Sequence, residues 1–237
     1  MKRKLMVLAL FGMLFAGTSA HAHDGVHLNL NGNDVKDPSA RMATDGTVYV
    51  NVKTFADYYG AKIDWDAPSK VLKVNGTPVS STYGEADPKQ GTASIRALTS
   101  ALGGNHSSIG WDAGTKTVNV TIMPEGTVQL TPDVPQMGEH WAKPGDMPIG
   151  PIYGVHNGKL VFIELMLAKD LQKTVHDIPG TTVPVPARFD HEDIDWNPEG
   201  HPGFEAPHYD VHFYYISREE QNKIMPSEMS AAEQSHH

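Results

Sequence analysis

The sequence predicts two dissimilar folded units. The first is an α+β N-terminal domain made of two strand–helix–hairpin repeats. The second is a mainly β C-terminal domain, an antiparallel sheet or small barrel. Three observations predict this. Residues 49–74, YVNVKTFADYYGAKIDWDAPSKVLKV, and residues 93–120, ASIRALTSALGGNHSSIGWDAGTKTVNV, follow one pattern. In both, helical spacing of apolar residues gives way to alternation after a glycine. Beyond about residue 137 the helical spacing stops, and histidines become frequent.

Residues 1–22 read as a cleaved secretory signal. MKRK is basic, LMVLALFGMLFAG is apolar, and Ala20-His21-Ala22 fits a small-x-small cleavage site. The apolar run falls short of the roughly 20 residues that span a bilayer. The mature chain is expected to start near His23, to be secreted or held at the cell surface, and to have no membrane span. The chain has no cysteine, which excludes a lipid-anchored cysteine, disulfides, and cysteine-ligated zinc or iron–sulfur sites. The net charge is −9 with no basic patch, so nucleic acid is not an expected partner.

The repeat unit takes in residues 23–123. Val52, Phe55, Ala56 and Tyr59 fall at i, i+3, i+4 and i+7, and Ile95, Leu98, Thr99 and Leu102 repeat that spacing. Each set predicts a short amphipathic helix, closed by Gly60 or Gly103. After the glycine a hairpin is expected. Ile63 and Trp65 alternate into the turn DAPS, and Ile109 and Trp111 into DAGT. The aspartate that opens each turn can bond its own backbone, and each tryptophan is expected to supply a large buried face.

These two units resemble the copper amine oxidase N-terminal-like domain over about residues 26–123. They depart from it at Asn51 and Ser94, where that family often carries proline. The resemblance implies a stalk, spacer, surface-binding or self-association module rather than a catalytic one. Amine oxidation is not expected, because the Asn-Tyr-Asp/Glu motif that forms the quinone cofactor is missing, and His208-Tyr209-Asp210 is not that motif.

Residues 124–136 are rich in proline and glycine and read as a linker. The β unit then covers residues 137–225, and a polar tail, 226–237, is expected to be disordered. Within the β unit, His156-Asn157-Gly158 reads as a hairpin turn. The strand after it, Leu160–Leu167, is apolar on both faces and carries Glu164, which is costly there unless paired. Residues 187–207 read as an acidic loop. Its HEDID stretch lacks the second histidine of a zinc-protease motif, and Asp193 and Asp195 lack the spacing of a calcium loop.

The stretch APHYDVHFYYIS, residues 206–217, reads as a strand. Tyr209, Val211, Phe213 and Tyr215 share one side, taken as the core side, and His208, Asp210, His212 and Tyr214 share the other. On a strand, His208 and His212 stand roughly 13 Å apart, so they cannot chelate one ion without help. His140 and Glu164 are the expected helpers, which makes His140, Glu164, His208, Asp210 and His212 the candidate metal ligands. One divalent ion is expected, zinc first, with copper or iron compatible. The series Met-Gly-x-His-Trp, a glutamate-bearing strand and Pro-His-x-Asp-x-His-Phe-Tyr resembles an uncharacterised bacterial family of secreted domains, over about residues 130–225.

Three functions remain open on these residues. The first is a cell-envelope binding or assembly protein that meets cell-wall or surface components, or copies of itself, and whose second unit binds a metal or small ligand. The second is a secreted metal-dependent, hydrolase-like enzyme in which Asp210 orients an imidazole. The third is a purely structural surface protein whose polar stripe forms a hydrogen-bonded network.

Overall fold

The computed structural model describes residues 25–82, 91–169, 184–201 and 204–225, so the expected signal and polar tail lie outside it. Over the described residues the chain is mostly β, which overturns the expected α+β N-terminal unit of helix–hairpin repeats. The helices α1 (Val52–Tyr59) and α2 (Ile95–Ala101) do form, but they are only eight and seven residues long. Asn51 and Ser94 cap them, with side chains that accept from the backbone N–H of Thr54 and Ala97. A proline at either position would lack that acceptor. None of the helices among the described residues is long and apolar enough to cross a membrane.

The strands of the first unit do not stay within their repeats. They are β1 (His27–Leu30), β2 (Asn33–Val35), β3 (Arg41–Met42), β4 (Val48–Asn51), β5 (Ile63–Asp66), β6 (Val71–Val74), β7 (Thr77–Val79), β8 (Thr92–Ser94), β9 (Ile109–Asp112) and β10 (Thr117–Val120). Strand β1 pairs in parallel with β10 in a four-stranded sheet of order β2-β1-β10-β9. Strands β4 and β8, one from each repeat, pair with each other. Strands β5, β6 and β7 make a third sheet. One apolar cluster joins these sheets to both helices through Leu30, Val50, Phe55, Leu72, Leu98 and Val120. A two-turn helix cannot bury its own apolar stripe, so the repeats share one core. Trp111 is 36 % exposed rather than buried, because β9 lies at a sheet edge.

The second unit is one six-stranded sheet. Its members are β11 (Val128–Gln129), β12 (Glu139–Ala142), β13 (Ile152–His156), β14 (Lys159–Ala168), β15 (His191–Asn197) and β16 (His208–Tyr214), in the order β11-β12-β13-β14-β16-β15. All its pairings are antiparallel. Strand β11 comes from the stretch read as a linker. Strand β15 contains HEDID, which is therefore a strand and not a loop; seven consecutive residues of it pair with β16. Helix α3 (Arg218–Gln221) follows, opened by a capping box between Ser217 and Glu220.

The two units touch at the β13–β14 turn. Asn157 and Gly158 both have positive φ, as a two-residue hairpin turn of the primed type requires. This tip sits on the first sheet, where Thr121 Oγ1 donates to the Gly158 carbonyl at 2.8 Å and Asn157 Nδ2 donates to the Trp111 carbonyl at 3.3 Å. Gly110 lies so close that a Cβ there would overlap the Asn157 backbone carbonyl. Gly110→Ala is therefore expected to lower stability by about 1–3 kcal/mol, the usual cost of overpacking, in urea unfolding. A midpoint equal to that of the wild type would show that the tip does not seat there.

Candidate metal centre

Strand register assembles the site. Phe162 lies opposite Tyr214, Glu164 opposite His212, Met166 opposite Asp210, and Ala168 opposite His208. Across β16 lie His191, Asp193, Asp195 and Asn197. On the other side Glu164 faces Ile152 and Phe162 faces Gly154, and Gly154 in turn faces His140 on β12. Because strand side chains alternate, these residues share one face of the sheet.

The alternation along β16 is as expected, but the covered face is the other one. His208, Asp210, His212 and Tyr214 are buried, while Tyr209 is 41 % exposed. The polar stripe is thus the inner face, and the tyrosine–valine–phenylalanine side is the outer one. Apolar groups pack beside it, with Phe162 and Tyr214 in one cluster and Ala142, Ile152 and Met166 in another. Glu164 is buried in mid-sheet and not at a wet strand end.

Three residues converge most tightly. His201 Nε2 lies 3.1 Å from His208 Nε2 and 3.6 Å from an Asp210 oxygen, and His208 Nε2 lies 3.0 Å from the other Asp210 oxygen. One ligand atom from each of the three fits within 4.8 Å of the others. Bonds of roughly 2.0–2.1 Å to a tetrahedral ion place ligand atoms roughly 3.4 Å apart, so these spacings suit one small cation. The tautomer suits it too. His208 Nδ1 lies 2.7 Å from the Ala206 carbonyl, an acceptor only, so Nδ1 carries the proton and the Nε2 lone pair faces the cluster. Asn197 Nδ2 donates to Asp210 and steadies that carboxylate.

His140, Glu164 and His212 form a looser group. His140 Nε2 is 3.9 Å from one Glu164 oxygen, and His212 Nε2 is 3.8 Å from the other. His212 Nδ1 is 3.5 Å from Asp195. These contacts are not hydrogen bonds, and neither nitrogen of His212 has a hydrogen-bond partner, although the ring is buried. Phe162 sets both rings by edge contacts, at 5.3 Å from His140 and 4.9 Å from His212. Gly154 makes this possible, since a Cβ there would strike the Phe162 ring.

Burial sets the electrostatics. It lowers His140 from 6.5 to about 4, helped by the neighbouring His212 and His201. Burial likewise lowers His212. Both imidazoles are therefore neutral at pH 7 and able to bind a cation. Burial, and then the Asp210 charge, raise Glu164 well above the usual carboxylate range.

The five sequence candidates thus divide. His208 and Asp210 join His201, while His140, Glu164 and His212 form the adjacent group; no single set of all five appears among the described residues. His201 is not among the sequence candidates because it lies in a loop. Its one sequence signal is its place seven residues before His208, within a Gly-His-Pro-Gly turn that must lead back into β16. A bridge between His201 and Phe204 closes that turn, and the Phe204 ring lies 4.3 Å from His208. Asp193 and Asp195 do not share a calcium loop, because Asp193 is held by both terminal nitrogens of Arg218 at 2.6 and 2.7 Å.

Two measurements check this geometry. Between pH 6.5 and about 4 the unfolded chain protonates His140 and the folded chain does not. That contribution to stability is complete above pH 6.5 and lost as pH falls, to the extent of about 3 kcal/mol. With chelator present, the stability gap between wild type and His140→Leu should narrow by that order across the window; a constant gap would mean that His140 titrates normally. Gly154→Ala should displace Phe162 and cost about 1–3 kcal/mol in urea unfolding, and an unchanged midpoint would remove Phe162 as the platform of the site.

No family model matches the chain, and no curated protein matches it. A hypothetical protein of Thermus thermophilus, of known structure, is 22 % identical over 41 % of this chain and 93 % of its own length. Its TM-score is 0.32, too low to carry a statement about fold or chemistry.

Proposed function

We propose that the protein is an extracytoplasmic binding protein that holds a divalent transition-metal ion at His201, His208 and Asp210. The observation that carries this reading is the meeting of His201 Nε2, His208 Nε2 and the two oxygens of the Asp210 carboxylate at 3.0 to 3.6 Å, with His208 fixed in the metal-binding tautomer by the Ala206 carbonyl. Two imidazoles and one carboxylate suit zinc first, with iron and copper compatible. Asn197 serves the centre from outside by orienting Asp210. The basic and apolar N-terminal segment supports a role beyond the cytoplasmic membrane.

The test is metal content after equilibrium dialysis against zinc. His236 and His237 would trap metal on their own, so the full chain carries His236→Ala and His237→Ala. Bound zinc is expected, lost in His208→Ala and weakened about 10- to 100-fold in Asn197→Ala, the usual effect of removing an orienting partner. Zinc that stays undiminished in both His201→Ala and His208→Ala would show that these residues are not the ligands.

A further inference from the structure

The four-stranded sheet of the first unit has one apolar face and one polar face. Leu28, Leu30, Val118 and Val120 belong to the apolar core, so Asn29 and Asn119, which alternate with them, point out of the opposite face. Strands β1 and β10 pair with Asn29 beside Asn119, and both are buried, at 5 % and 6 % exposure. Asn29 Nδ2 donates to Asp34 Oδ1 at 2.9 Å, but Asn29 Oδ1 has no hydrogen-bond partner. A buried acceptor left unpaired is expensive, and a ligand that donates to it removes that cost.

Both asparagines line a cavity of about 1170 Å³ between the two units. Val161, Ile216 and Ile224 line it from the second unit. Ligand pockets commonly hold about 300–1,000 Å³ and combine an apolar lining with a few polar groups. Charged groups along the cavity are engaged with neighbours. Asp34 accepts from Asn29, Asp112 accepts from the N–H groups of Gly114 and Thr115, Lys159 pairs with Glu220, and Lys223 pairs with Glu219. A charged ligand would compete with these pairs, and a neutral one leaves them intact. An extended peptide is disfavoured too, because it binds through a free sheet edge. Strands β1 and β10 are inner strands, and their backbone groups are spent on each other and on β2 and β9. A saccharide meets each requirement. It is neutral, each hydroxyl both donates and accepts, and its C–H faces pack on aliphatic side chains.

We infer that this cavity binds a neutral saccharide of more than one ring, with a sugar hydroxyl donating to Asn29 Oδ1. Asn119 supplies a second amide beside it, and Val161, Ile216 and Ile224 take the C–H face of a ring. None of these residues is a ligand in the proposed centre at His201, His208 and Asp210, so the two sites stand or fall separately.

Isothermal titration calorimetry of the full chain tests this with cellotriose, maltotriose and tri-N-acetylchitotriose, and with trialanine and inorganic phosphate as the alternatives. At least one trisaccharide is expected to bind. Asn29→Ala should weaken it about 3- to 10-fold, the usual worth of one hydrogen bond. Thr117 lies two residues before Asn119 on the same face and lines the cavity, so Thr117→Trp should fill the space and abolish binding. Zinc content should be unchanged in both variants. Absence of binding by every trisaccharide overturns the inference, and so does binding of trialanine or phosphate in their place. Trisaccharide binding undiminished in both variants overturns it as well, by placing the sugar elsewhere. The first titration uses the native residues and the two variants are independent, so one that fails to fold leaves the other to decide.

Discussion

Six ionisable groups, His140, Glu164, His201, His208, Asp210 and His212, meet on one face of a six-stranded sheet. Burying polar groups away from water is expensive unless each finds a partner. Much of the second unit can be understood as the response to that requirement. Strand β16, which carries His208, Asp210 and His212, sits between β14 and β15 and not at an edge, so neighbours on both sides contribute. Strand β14 brings Glu164, and β15 brings Asp195 and Asn197. The loop between β15 and β16 turns back so that His201 covers the far end.

The apolar residues of this face serve the same end. Phe162 has room only because Gly154 has no side chain, and its ring edge then sets His140 and His212 together. Met166, Ile152 and Ala142 form a second apolar cluster beside Asp210 and Glu164. Burial lowers the proton affinity of His140 and His212 and raises that of Glu164.

The first unit bears on the site only through the scaffold. One of its contacts with the sheet is at the Asn157–Gly158 tip of the β13–β14 hairpin, and the chain runs from there along β14 to Glu164. At roughly 3.3 Å per residue, that separation is more than a dozen ångströms. Strand β14 joins the two regions, and Glu164 stands midway along it.

Local features were legible in the sequence because they depend on neighbours along the chain. The spacing of Val52, Phe55 and Ala56 marked α1, Gly60 closed it, and Asn157-Gly158 marked the tightest turn. The two-residue alternation of 208–214 was also legible, and with it the set His208, Asp210 and His212. What the sequence could not decide was which side of β16 would be covered, since either face of an alternating strand can be the inner one until other strands and loops are placed. Nor could it show that the two halves of the first unit share strands in two of its three sheets, because β1–β10 and β4–β8 pair residues far apart in the chain. The division of five candidate ligands into two groups, and the recruitment of His201, likewise came from register between distant strands. Tertiary structure decided these points for one physical reason: ligand geometry depends on through-space distances, which the order of residues does not contain.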